Sequence, residues 1–219
     1  MNDVDIQREQ RKIRLQQAMT KMPLVAILRG LTPQKAVEVG QVLVENGLHI
    51  LEVPLNSPDP FESISLLRQN LPQHVIVGAG TVLRESDIEQ LQHIQADIVV
   101  MPHCSPTLIS KSIHCGLEPF AGIFTPTEAF CAVDAGAQFL KIFPSDCNPL
   151  LPKALKSVLP PHIQMLAVGG VQHDNVHNFP AVQGFGVGSS LFTPKMDIIE
   201  IAKRAAQFCV SIQKWKQSL

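Results

Sequence analysis

Eight short apolar runs, most of them separated by segments of helical spacing, predict an α/β chain closed into a (β/α)8 barrel with an extra N-terminal helix. The runs are continuous rather than alternating, the pattern of parallel strands covered on both faces. No G-x-G-x-x-G follows the first run, which disfavours the doubly wound open sheet as the competing arrangement. The 219 residues, 45% apolar and 17% charged, suit one compact domain with a large core.

The order along the chain supports each element. Residues 1–22 mix charges with Val4, Ile6, Ile13, Leu15 and Met19, which predicts an added amphipathic helix that caps the domain or meets a subunit, with capping the favoured role. Residues 23–219 are expected to form the barrel. The strands are expected in "LVAILRG", "HILEVPLN", "HVIVGAGT", "ADIVVMP", "LEPFAG", "FLKIFPS", "QMLAVGG" and "GFGVGSS". After the first, "TPQKAVEVGQVLVENG" offers Thr32 as an N-cap, Pro33 in the first turn and Gly47 as a stop. "RESDIEQLQHIQ", "SPTLISKSIHCG" and "TPTEAFCAVDAG" repeat the pattern. The connections after "KIFPS", rich in proline, and after "AVGG", short, are poorly marked as helices.

Composition narrows the function. A net charge of -1 and no basic cluster point away from nucleic acid and from an anionic membrane surface. No stretch is long enough to span a bilayer, and the start lacks the apolar core of a signal peptide. The five cysteines are odd in number and no pair is spaced C-x-x-C, so free thiols in a reducing cytoplasm are expected.

In such a barrel the active site lies at the carboxyl ends of the strands. Strand one is read as ending in Arg29, strand two carries Glu52, strand three ends in Gly80 and Thr81, strand four in Pro102, and strand six carries Lys141. Arg29, Glu52 and Lys141 are read as the ionisable residues inside otherwise apolar strands. A buried ammonium is costly unless paired or deprotonated, so Lys141 is either a snorkelling surface lysine, a partner of Glu52 in an inert ion pair, or a free amine. As a free amine it can attack a carbonyl to give an imine, with Glu52 as the proton carrier. A closed metal site is not indicated, because Glu52 lacks obvious His or Asp partners. Gly169 and Gly170 after strand seven, and Gly188, Ser189 and Ser190 after strand eight, either make tight turns or present backbone N–H groups to a phosphate. Thr81 lies on the same rim, placed to hold a carboxylate or a carbonyl. Of the histidines, only His103 sits at a strand end; His49, His74, His93, His114, His162, His173 and His177 read as loop or helix-surface residues.

The motifs "AILRG", "LEVPLNS", "GAGTVL", "TPTEAF", "GAQFLKIFPS", "AVGGV" and "GVGSSLF", from about Pro23 to Pro194, together resemble the family of 2-keto-3-deoxy-6-phosphogluconate and 6-phosphogalactonate aldolases. The resemblance implies a class I aldolase, usually trimeric, needing no metal or other cofactor. It implies Lys141 as the Schiff-base lysine, Glu52 as the general acid/base, and Arg29 and Thr81 as substrate contacts. Gly169, Gly170, Gly188 and Ser189 would hold the phosphate. Asn56 and Val168, where the gluconate enzymes usually have arginine and threonine, favour the galactonate branch. The expected partners are therefore a phosphorylated sugar acid, pyruvate, glyceraldehyde 3-phosphate and two further copies of the chain. The alternatives are a gluconate-type or 4-hydroxy-2-oxoglutarate aldolase and a non-catalytic phosphosugar-binding barrel.

Overall fold

The computed structural model describes residues 3–218. The first two residues of the expected extension lie outside that range, and so does the side chain of Val4. The eight strands are β1 (Leu24–Ile27), β2 (Ile50–Pro54), β3 (Ile76–Gly80), β4 (Ile98–Val100), β5 (Glu118–Ile123), β6 (Phe139–Ile142), β7 (Gln164–Val168) and β8 (Gly184–Val187). Each pairs in parallel with the next, and β8 returns to β1, so the expected (β/α)8 barrel closes.

Helix α1 (Asp3–Lys21) precedes β1. Between the strands run α2 (Pro33–Glu45), α3 (Pro60–Asn70), α4 (Glu85–His93), α5 (Pro106–His114), α6 (Pro126–Asp134) and the short α7 (Leu151–Lys156). Only a 3₁₀ turn, Val176–Asn178, joins β7 to β8, and α8 (Ile198–Gln217) closes the chain. The two poorly marked connections are therefore the two reduced ones. Their proline and asparagine content leaves no apolar period long enough for a full helix.

Local chemistry sets the helix ends. At α6, Thr125 Oγ1 accepts from the Glu128 N–H at 3.3 Å and Glu128 Oε2 accepts from the Phe124 N–H at 2.8 Å, a reciprocal cap. Thr32 occupies the N-cap of α2, but its side chain makes no capping bond; Pro33 at the first turn already removes one of the donors needing a partner. Gly47 and Gly116, with φ of +90° and +74°, end α2 and α5 in the left-handed conformation glycine tolerates.

The barrel interior is filled from below. Val25, Ile50, Ile76, Ile98, Phe120, Phe139 and Leu166 face inward and meet Leu15, Ala18 and Met19 of α1, all buried. The expected cap is thus present, on a narrower stripe. Leu15, Ala18, Met19 and Met22 recur at helical spacing, whereas Ile6 and Ile13 fall half a turn away and are exposed. Burying each large stripe residue stabilises the docked helix by about 1.5–3 kcal/mol. Asp97, buried just before β4, anchors the helix: Arg11, Arg14 and Arg68 all reach its carboxylate, and its Oδ2 accepts from the Val77 N–H at 3.0 Å.

Three expectations about ionisable groups and strand ends need correcting. Arg29 stands two residues past β1 and is exposed, and Pro102 likewise lies beyond β4; both strands stop where their inter-strand pairing stops. Glu118 at the start of β5 is a further ionisable residue in an apolar strand, 1% exposed, with neither carboxylate oxygen hydrogen-bonded. Burial pushes its pKa up, opposed by Lys12 and Arg8 of α1. His49 is buried rather than superficial, its ring edge-on to His74 at 5.1 Å, because it immediately precedes the buried β2.

Candidate active site

Strand β6 is buried along its whole length, and its alternation turns Phe139 and Lys141 into the barrel. Lys141 is 8% exposed, in register with Gly122 on β5 and Leu166 on β7. Glu52, 2% exposed, projects from β2 into the same chamber, whose walls include Ile27, Phe120, Leu166, Val168 and Gly186. Its carboxylate occupies space left by Gly80 on β3, where a Cβ would coincide with the carboxylate oxygens. The "GAGT" motif is therefore first a matter of room for Glu52.

The two charged groups share the chamber without an ion pair among the described residues, and Glu52 Oε2 is buried with no hydrogen-bond partner. Burial raises the Glu52 pKa to about 7, held back by Lys141 and Arg29. Burial also lowers the Lys141 pKa; Glu52 opposes this and Arg29 adds to it. Both shifts are dominated by desolvation, the cause that favours a neutral amine beside a neutral acid. Lys141 Nζ lies 4.9 Å from the centre of the Phe143 ring, which lines the cleft above the chamber.

On the rim, Arg29 spans two neighbouring loops. Its Nη1 donates to Asn56 Oδ1 at 2.5 Å and its Nη2 to Thr81 Oγ1 at 3.5 Å. Thr81 adopts φ +56°, a left-handed conformation unusual for a β-branched residue. The Gly30 N–H donates to the buried Ser57 Oγ at 2.9 Å, which ties the Arg29 loop to the Asn56 loop.

Above the chamber opens a cleft of about 310 Å³ that shares Ile27, Val168 and Gly186 with it. Gly169, Gly170, Gly188 and Ser189 line this cleft, with Arg29 and Phe143 at its edge. The N–H groups of Leu191 and Phe192 both turn back to the Gly188 carbonyl at 2.9 Å, while those of Ser189 and Ser190 donate to no group among the described residues. They form the open end of a turn, the geometry that receives anions. Arg204 of α8 braces this turn from behind: its Nη1 donates to the carbonyls of Ser190 at 3.1 Å and Ser189 at 3.5 Å, and its Nε to Glu200 at 2.6 Å. Ser190 Oγ donates to the Val171 carbonyl at 2.7 Å and Ser145 Oγ to the Gly169 carbonyl at 2.9 Å, which joins the two glycine loops to each other and to the turn that follows β6.

The sequence model of the family described as KDPG and KHG aldolase matches residues 15–208, from α1 into α8. The chain belongs to that family. It is an aldolase, a carbon–carbon lyase. A probable 2-dehydro-3-deoxy-6-phosphogalactonate aldolase of Rhizobium meliloti (strain 1021) is 41% identical over 186 residues, 84% of this chain and 88% of the relative. The 2-dehydro-3-deoxy-6-phosphogalactonate aldolase of Escherichia coli (strain K12) is 38% identical over 195 residues, 88% of this chain and 95% of the relative. A solved structure described as native KDPGal superposes with a TM-score of 0.87 at 36% identity, over 90% of this chain and 97% of that one.

The aldolase thus gathers the residues expected from its sequence into three adjoining groups. Lys141, Glu52 and Val168 form the chamber, Arg29, Asn56 and Thr81 form the rim, and Gly169, Gly170, Gly188 and Ser189 form the outer cleft. His103 lines neither space and is exposed. Sequence reasoning missed Phe143, Ser57 and Arg204. Phe143 had a legible signal, standing two residues after Lys141 and directly following β6. Arg204, one of several charges on a surface helix, had none.

Proposed function

We propose that the aldolase cleaves 2-dehydro-3-deoxy-6-phosphogalactonate to pyruvate and D-glyceraldehyde 3-phosphate through a Schiff base on Lys141. The observation that carries this reading is the pair Lys141 and Glu52, buried without an ion pair among the described residues in one chamber directly beneath a glycine-lined cleft. The names of the relatives from Rhizobium meliloti and Escherichia coli supply the substrate.

In this mechanism the neutral Lys141 amine attacks the C2 ketone. Glu52 delivers the proton with which water leaves the carbinolamine, and an iminium remains. Glu52, now ionised, takes the C4 hydroxyl proton, directly or through water. The C3–C4 bond breaks, its electrons pass into the iminium to give an enamine, and glyceraldehyde 3-phosphate departs. Protonation at C3 and hydrolysis of the imine release pyruvate and restore the amine. Arg29 and Thr81 contact the substrate's carboxylate end. The backbone N–H groups of the Gly169–Gly170 and Gly188–Ser189 loops hold the phosphate, and Arg204 keeps the second loop in shape. Incubation with pyruvate and borohydride should leave one reduced adduct on Lys141, and an adduct confined to other lysines would favour the non-catalytic binding barrel instead.

Val168 and Asn56 are proposed to set the epimer preference, because the galactonate and gluconate substrates differ at C4, where the bond breaks. Val168 lines both chamber and cleft and offers only methyl groups to a hydroxyl. Val168→Thr keeps the shape and adds one hydrogen-bonding group, worth about 0.5–1.5 kcal/mol. We expect kcat/KM for the gluconate epimer to rise relative to the galactonate epimer by a few-fold to roughly tenfold. Assays of both substrates side by side check this; a wild type that strongly prefers the gluconate epimer, or a ratio unmoved by the substitution, removes Val168 as the selector.

The assembly is proposed to be a homotrimer. Phe124 and Phe130 are exposed near the start of α6, and Phe130 lines a shallow hollow against α5, apolar surface that association would cover. Light scattering should report a mass three times that of the chain, and a monomer at working concentration contradicts it.

A further inference from the structure

The end of the barrel opposite the catalytic mouth carries an unmatched cluster of positive charge. Arg11, Arg14 and Arg68 converge on the single buried carboxylate of Asp97, which leaves two guanidinium charges in excess. Arg68 Nε is buried without an acceptor. Burial and the other two guanidiniums pull the Arg11 pKa down against the attraction of Asp97. Beside this cluster, between α1, α3 and the end of α4, lies a cleft of about 840 Å³. Arg14, Arg68 and His93 line it together with the amides of Gln10, Gln69 and Gln73, and among the described residues no acidic side chain does.

We infer that this cleft binds a small phosphate monoester dianion, formed jointly by α1 and the underside of the barrel. A monoester near pH 7 carries close to two negative charges and so matches the excess. Arg14 and Arg68 retain donor positions beyond those spent on Asp97 and on the Gln73 and Val75 carbonyls, and planar guanidinium donors suit phosphate oxygens. The glutamine amides and Ser65 provide both donors and acceptors for the hydroxyls of the esterified part. The volume falls in the range of small-molecule sites. The cleft lies at the other end of the barrel from Lys141, so its ligand is not the molecule being cleaved. Because α1 forms one wall, occupancy ties α1 to the barrel more firmly and is read in α1 itself.

Hydrogen exchange of the whole protein tests this, with glycerol 3-phosphate and inorganic phosphate as separate probes and potassium chloride at matched ionic strength as the control. At ten times the dissociation constant, the amides of α1 (Asp3–Lys21) should exchange about tenfold more slowly, since the site exists only while α1 is docked. Slowing by both probes identifies the phosphate group as sufficient; slowing by glycerol 3-phosphate alone identifies an esterified ligand. Gln69→Glu and Gln73→Glu, at exposed positions, place a carboxylate in the cleft and should abolish the slowing in α1 while preserving any slowing in the Gly169–Ser190 loops. No slowing in α1, or the same slowing in both variants or in potassium chloride, overturns the inference.

Discussion

Lys141→Met is expected to abolish aldol cleavage while leaving the barrel folded. Methionine fills nearly the volume of lysine without a charge, so the chamber keeps its packing against Phe120, Leu166 and Val168. The substitution also removes a buried amine whose pKa burial lowers, so it relieves a desolvation cost and breaks no ion pair among the described residues. Chemistry has no substitute: without the amine no iminium forms, and the electrons of the C3–C4 bond have no acceptor. The loss in kcat should exceed about 10⁴-fold, the scale on which removing a covalent nucleophile silences an enzyme. Circular dichroism and a melting curve close to wild type, together with absent turnover and no borohydride-trapped pyruvate, are the expected results. Measurable turnover in this variant would falsify the Schiff-base mechanism.

The barrel was legible because its strands had no freedom to read otherwise. Runs such as "HVIVGAGT" and "ADIVVMP" are apolar on both faces, which only a sheet covered on both faces accommodates. Lys141 and Glu52 stood out for the same reason, since a charge inside such a run demands an explanation. The reading went astray where position along a strand decides the outcome. Arg29 follows "AIL" without a break in the sequence, yet pairing ends at Ala26 with β8 and at Ile27 with β2, and the arginine turns out to the rim. Glu118 lies inside the expected strand "LEPFAG" and was overlooked because it stands at the amino end of β5, away from the catalytic rim, where α1 covers it. The roles of Gly80, Ser57 and Arg204 depend on which strands and helices become neighbours. Gly80 makes room for a carboxylate 28 positions earlier in the chain, and that relation exists only after β2 and β3 pair.

The architecture also separates two tasks. The lower half of the barrel, plugged by Leu15, Ala18 and Met19, is a tightly packed core. The upper half contains the unpaired acid, the buried amine, the left-handed Thr81 and the consecutive left-handed glycines Gly169 and Gly170. Stability is spent at this end to hold groups in protonation states that water would not allow, and the lower half offsets that cost.

Glu52→Gln tests this division, because it should impair catalysis and stabilise the fold at once. Glutamine keeps the shape of the side chain but neither gives up nor takes a proton near neutrality, so turnover should fall about 10²–10⁴-fold, the usual range for a general acid/base. Near-normal turnover means that another group, such as a water held by Thr81, moves the protons. The stability effect follows from burial. In the unfolded chain the carboxyl titrates near its ordinary value of 4.5, and in the folded chain at about 7. Between those values the folded protein holds a proton that the unfolded chain has released, so folding stability falls as pH rises, by about 1.4 kcal/mol per unit, and levels off above about 7. From pH 4.5 to pH 8 the wild type therefore gives up about 3 kcal/mol through this one group. The glutamine variant does not titrate and loses none of it. Denaturant midpoints for the two proteins should draw apart as pH rises from 5 to 8, with the variant increasingly the more stable. A difference in stability that does not change with pH would mean that Glu52 ionises in contact with water, and the desolvation that favours Lys141 as a free amine would lose its main support.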